Sequence, residues 1–251
     1  MNRVRAVLAL MGATIAEYLR SLRWLVEFGL AALAYVLYFR QPGLDAQGFT
    51  TGLHLFGGIC VAVAAQGIYA MADREQGMLL LTRRIGRSGY LLAHLLTVVI
   101  IAIAGCGLLS AAVALTAPVA GLTLADWGFA VLPLVLNIVL LAAMVLLLTP
   151  LVLAPGWRLL ILLAAMLAFS GTLIGGQTLA ALPAPLVLLL DVLRTIFAVP
   201  LLPFFSGYEI GVTGDRANAP VLLATQSLMA LGLVALVLTI FARRDPRLGR
   251  V

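Results

Sequence analysis

Six apolar runs, each long enough to cross a bilayer as a helix, follow one another along this chain between clusters of Arg, Pro and Gly. A hydrocarbon core about 30 Å thick needs roughly 20 helical residues, and a chain that offers several such runs has little choice but to fold in lipid. They lie at about 22–39, 53–72, 90–116, 128–148, 158–176 and 220–241. With 63% hydrophobic and only 10% charged residues, and a mean hydropathy of +1.14, the chain is far too apolar for a soluble domain. The expected fold is all-α integral membrane, one domain over residues 1–251, with six transmembrane helices and no internal repeat.

All sixteen basic residues are Arg, and their distribution sets an orientation. Thirteen fall on the side of the two termini: Arg3, Arg5, Arg20, Arg23, Arg74, Arg83, Arg84, Arg87, Arg158, Arg243, Arg244, Arg247 and Arg250. Three fall on the other: Arg40, Arg194 and Arg216. Basic residues concentrate in cytoplasmic loops near span ends, so both termini are expected in the cytoplasm. The net charge of +6 is therefore a topology signal rather than a nucleic-acid-binding patch, because the Arg clusters sit between apolar runs.

Two segments fall outside this pattern. In residues 1–21, Val4, Val7, Leu8, Met11, Ile15, Tyr18, Leu19 and Leu22 share one helical face, and Arg3, Arg5, Ala13, Glu17 and Arg20 share the other. That division reads as an amphipathic helix in the membrane interface rather than a signal peptide. In residues 177–219, the apolar stretch between Pro185 and Pro200 holds about 14 residues, a helix of roughly 21 Å that is too short to cross. Asp191 and Arg194 also sit one turn apart inside it, so an external re-entrant helix between spans five and six is expected.

The polar residues inside spans are few. Glu27 is placed to pair with Arg23 four residues earlier and snorkel to the interface; with Gln66 and Asn137 it is also a candidate for a translocation path. Gln226 is more simply read as bonding across helices. Cys60 and Cys106 pack as small apolar residues. His54 and His94 fall near opposite ends of spans two and three, as interfacial residues, and no cluster of Cys or carboxylates supplies metal ligands. Gly171-Thr-Leu-Ile-Gly175 is a GxxxG element that lets helices approach closely, within the chain or across a dimer seam.

Enzymatic readings lack their residues. Ser170 has both His residues upstream, the reverse of the order used by rhomboid-type intramembrane proteases, and no HExxH or comparable pairing occurs. Nor is there a GxxxxGK followed by Ser or Thr to cradle a nucleotide, so any ATP must be bound by another subunit.

Between spans two and three lies the one inward loop with content. Asp73-Arg74-Glu75-Gln76-Gly77 is followed by Met78 and three leucines, then Arg83, Arg84, Ile85-Gly86-Arg87 and Tyr90-Leu91-Leu92-Ala93. A charged rim around an apolar face is the make-up of a protein interface. Together with the six-span plan and the amphipathic N-terminal helix, this loop resembles that of type-2 ABC transporter permeases. Met78 stands where the family has Thr, Gly86 where it has Ser and His94 where it has Lys; the leucine run is about two residues short, with Arg84 near the family's Pro position.

The resemblance implies a membrane subunit, an exporter in the bacterial cytoplasmic membrane, without catalytic residues of its own. It implies that Asp73, Arg74, Glu75, Gly77, Arg83, Arg84 and Arg87 dock an ATP-binding subunit that carries ATP and Mg. It further implies a homodimer whose seam includes Gly171 and Gly175. Two other readings stand beside it: a module that transmits ATP-driven motion without a transported substrate, and an ATP-independent channel or carrier. A ladder of intramembrane charges, as ion-coupled carriers use, is missing.

Overall fold

The computed structural model describes residues 3–41, 43–72, 85–119, 121–163, 183–192, 195 and 219–243. The regular elements among them are all helices. We label them α1 (Arg3–Arg20), α2 (Trp24–Ala34, continued by a π-helical turn Tyr35–Phe39), α3 (Ala46–Ala72), α4 (Gly86–Thr116), α5 (Leu124–Leu147), α6 (155–163), α7 (184–192) and α8 (Ala219–Arg243). Four of them, α3, α4, α5 and α8, are long and apolar enough to cross a membrane. The fifth candidate is the bent pair α1 and α2, which meet at 71°. Trp24–Phe39 alone is roughly 24 Å of helix, short of the bilayer core.

Four hydrogen bonds establish how the helices run. Tyr90 Oη donates to the Ala72 carbonyl at 3.0 Å, so the start of α4 meets the end of α3 and the two are antiparallel. Tyr69 Oη donates to the Ala142 carbonyl at 3.1 Å, which brings α3 and α5 together near the C-terminal ends of both. An Arg87 nitrogen reaches the Ala242 carbonyl at 3.4 Å, joining the start of α4 to the end of α8. Tyr35 Oη donates to Thr116 Oγ1 at 2.7 Å and ties α2 to α4 at the opposite end.

We call the first end proximal. It gathers Arg20, Arg23, Arg87 and Arg243 with Ala72 and Ile85, the residues that flank the charged segment, while Arg40 stands at the distal end. The distal turns before α3 and α5 use Gly43 (φ +88°) and Gly121 (φ +77°), a left-handed backbone that side chains disfavour. Thr123 and Asp126 then start α5 with a capping box, each side chain accepting from the other's backbone N–H.

At the centre α4 packs against α1, α3, α5 and α8. Val61, Ala64, Ala65 and Ile68 of α3 are buried with Leu91, Val98 and Ala102 of α4, and small residues set the spacing. A side-chain carbon at Gly57 would lie 3.3 Å from the Cys106 sulfur, and one at Gly105 would lie 3.3 Å from the Cys60 sulfur. Both cysteines are buried and unbridged, as small core residues. Outward, Leu25, Phe28, Leu33, Leu55, Leu228 and Leu231 are exposed, the surface a helix bundle presents to lipid.

The amphipathic reading of α1 is refined by its packing. Arg3, Arg5, Ala13, Glu17 and Arg20 are all exposed, as expected of the polar face. The apolar face is divided: Tyr18 is buried and Val7 partly so, whereas Val4, Leu8 and Leu19 stay exposed beside them. Such a helix rests one edge on the bundle and leaves the other exposed. Of the expected fifth span, residues 158–163 are helical and 164–176 lie outside the described residues. Of the expected re-entrant segment, residues 184–192 are helical after Pro183, and most of the remainder lies outside the described residues.

Candidate functional site

Polar side chains converge where α1 turns into α2. Residues Ser21–Arg23 break the helix, and Leu22 adopts φ +58°, a left-handed conformation that is costly for a branched side chain. The turn folds α1 back so that Tyr18 Oη donates to Glu27 Oε1 at 2.7 Å, with 2% of Tyr18 and 8% of Glu27 exposed. Burial, and then the bond to Glu27, push the Tyr18 phenol well above its ordinary range, so it remains a donor at any physiological pH. Glu27 is thus satisfied by Tyr18, not by Arg23, and it does not snorkel. The Arg23 guanidinium crosses to α3 instead and donates to the Gly67 carbonyl at 2.8 Å. Gly67 permits that approach, since a side-chain carbon there would meet the guanidinium at 3.1 Å.

Beside this turn lies an open cleft of about 340 Å³, lined by Tyr18, Arg23, Val26, Val63, Gln66, Gly67 and Ala70. Gln66, an expected path residue, is exposed on its wall. Glu27 is close by but buried behind Tyr18. Asn137, the third expected path residue, is elsewhere: its Oδ1 accepts from Gln226 Nε2 at 2.6 Å, deep between α5 and α8. Gln226 is fully buried, its nitrogen also reaches the Pro133 carbonyl at 3.4 Å, and its Oε1 has no partner among the described residues. The described residues therefore bring Glu27 and Gln66 to one neighbourhood and Asn137 to another.

Of the expected docking residues, Asp73, Arg74, Glu75, Gly77, Arg83 and Arg84 lie outside the described residues, as do Gly171 and Gly175 of the expected seam. Arg87 is described, and it sits at the base of the charged segment with its bond to Ala242. The base is tightly built. Besides the Tyr90 bond to Ala72, a side-chain carbon at Gly89 would lie 3.0 Å from Ile85 and 3.3 Å from Val7 of α1. His94 packs its ring on Tyr90, with centroids 4.4 Å apart.

The two histidines are packed inside the bundle. His54 and His94 are both buried, and each holds its Nδ1 within 2.9 Å of a carbonyl four residues earlier, at Thr50 and Tyr90, which satisfies that nitrogen inside the bundle. Sequence reasoning missed Tyr18 as the partner of Glu27 because an aromatic on an apolar face reads as packing. Its signal was present, since a phenol next to an intramembrane acid is a ready donor.

A second cavity, of about 380 Å³, lies at the distal end between Phe49, Ser110, Ala114, Leu122 and Trp127. Its wall is mostly apolar, and the Thr123 hydroxyl at its rim is engaged in the capping box.

No protein-family model, curated protein or solved structure matches the chain.

Proposed function

We propose that this chain is the membrane-spanning permease subunit of an ATP-binding cassette exporter, a homodimer of six-span chains in a bacterial cytoplasmic membrane. The proximal end, with both termini, faces the cytoplasm, and two separate ATP-binding subunits supply ATP and Mg there. The observation that carries this reading is the construction beneath the charged segment 73–84. Both flanks of that segment are bonded together through Tyr90 and Ala72, α1 rests on Gly89, and Arg87 reaches the end of α8. A force applied to the segment therefore acts at once on α1, α3, α4 and α8.

Two polar contacts extend the linkage. Motion of α1 reaches α2 through Tyr18 and Glu27, and motion of α2 reaches α3 through Arg23 and Gly67. Close-packed helices move as units, so a displacement at the segment becomes a change in helix tilt rather than a local deformation. ATP-driven closure of the partner subunits would use this route to alternate the permease between two states.

A second reading, motion transmitted without a transported substrate, is favoured by one observation: the polar residues within the described spans form separate contacts, Glu27 with Tyr18 and Asn137 with Gln226. Purification of the tagged chain in mild detergent, with mass spectrometry of associated proteins, tests both. Recovery of an ATPase at about one per permease, lost when Arg83, Arg84 and Arg87 are changed to Glu, is the expected result. Recovery of the chain alone, still moving a solute across liposomes, refutes the coupling reading. ATPase recovery without any solute movement in proteoliposomes selects motion transmission.

A further inference from the structure

We propose that the cleft between the α1–α2 turn and α3 binds the phosphate headgroup of an anionic amphiphile, with Arg23 and Gln66 on the phosphate and Val26 and Val63 along the start of its chain.

The charge of the cleft comes from one side chain. A guanidinium presents five N–H donors in a planar fork suited to phosphate. Among the described residues its hydrogen bond is the one to Gly67, and the half-buried group lines the cleft. The nearby acid does not cancel it there, because Glu27 is buried, accepts from Tyr18 and is not part of the cleft wall. Gln66 adds exposed amide donors on the facing helix. A volume of about 340 Å³ lies within the range of small-molecule sites.

The order of residues along the two helices selects an amphiphile over a free anion. Arg23 and Gln66 lie toward the proximal end of α2 and α3. Val26 and Val63 lie one turn further into the bundle on the same wall, and Val26 is 56% exposed. Going inward, Arg23 is followed by Val26 on α2 and Gln66 by Val63 on α3, with only the small Ala70 nearer the edge, and that order matches a lipid whose headgroup sits at the interface and whose chain runs inward. Basic pockets between membrane helices take anionic headgroups for this reason.

The site does not depend on the transport reading, and its test contains no ATPase. The full chain, purified in detergent, is titrated with phosphatidylglycerol or phosphatidylcholine and read by native mass spectrometry, with inorganic phosphate as competitor. Phosphatidylglycerol is expected to bind more tightly than phosphatidylcholine. Arg23→Gln is expected to weaken it about tenfold or more, the size of one lost charge-assisted hydrogen bond. Arg23 also braces α3, so Gln66→Leu, at an exposed position, serves as the second variant, with an expected loss of about threefold. Equal phosphatidylglycerol binding by the parent and both folded variants overturns the site. Displacement of the lipid by an equal concentration of inorganic phosphate overturns the amphiphile assignment.

Discussion

Changing Tyr18 to Phe removes one oxygen atom, and the structure indicates what that atom does. Its hydroxyl is the buried donor to Glu27 Oε1 at 2.7 Å, across the turn where α1 and α2 meet at 71°. Removing the donor leaves a buried acceptor unsatisfied, which costs about 1–3 kcal/mol. Tyr18→Phe is therefore expected to destabilise the fold by about 1–3 kcal/mol. With Glu27→Leu already in place, the phenol has lost this acceptor, and the same change should cost only about 0–1 kcal/mol. The difference, a coupling of about 1–2 kcal/mol, is the quantity a double-mutant cycle isolates. The four proteins would be unfolded reversibly by sodium dodecyl sulfate titration in mixed micelles, with Leu19→Ala as an exposed control at the same turn. Equal cost of Tyr18→Phe in both backgrounds would refute the argument that the Tyr18–Glu27 contact holds the turn.

Asn137→Leu should destabilise by about 1–2 kcal/mol, because it strips the fully buried Gln226 amide of its 2.6 Å partner, and adding Gln226→Leu should restore most of the loss; the same unfolding assay decides, and no recovery in the double variant refutes the pairing. Gly52→Ala should cost about 1–3 kcal/mol and loosen the π-helical turn, since the new carbon would collide with the Tyr38 ring and stand 2.9 Å from that of Phe39. Faster cysteine labelling at a probe introduced beside Tyr38 is the expected readout, and unchanged labelling and stability would show that the rings move aside freely.

Hydropathy and charge were enough to make the chain helical and to locate most of its long helices, because the demand that backbone groups bond internally in lipid acts on any run of this length. The ends were less legible. The second run begins at about 53 by hydropathy, whereas α3 begins at Ala46. Gln47, Gly48, Thr50 and Thr51 lower hydropathy without preventing helix, and the Thr50 hydroxyl returns to the Ala46 carbonyl at 2.7 Å. The break at Ser21–Arg23 was invisible as well, since Leu22 carries no sign of the left-handed backbone it adopts.

What the sequence determined by itself was which long segments are apolar enough to lie in lipid, α3, α4, α5 and α8 among them. Partition between phases depends on side-chain chemistry summed over a window, and such a sum is written in the order of residues. Tertiary structure decided the partners. Glu27 had a basic neighbour four residues away, the arrangement local spacing favours, yet the turn before α2 delivered a phenol from α1 and released Arg23 to α3. Asn137 and Gln226, separated by 89 positions, met because α5 and α8 pack in register. A hydrogen bond requires position to within a few tenths of an ångström. Only the packing of helices against one another sets distances that fine.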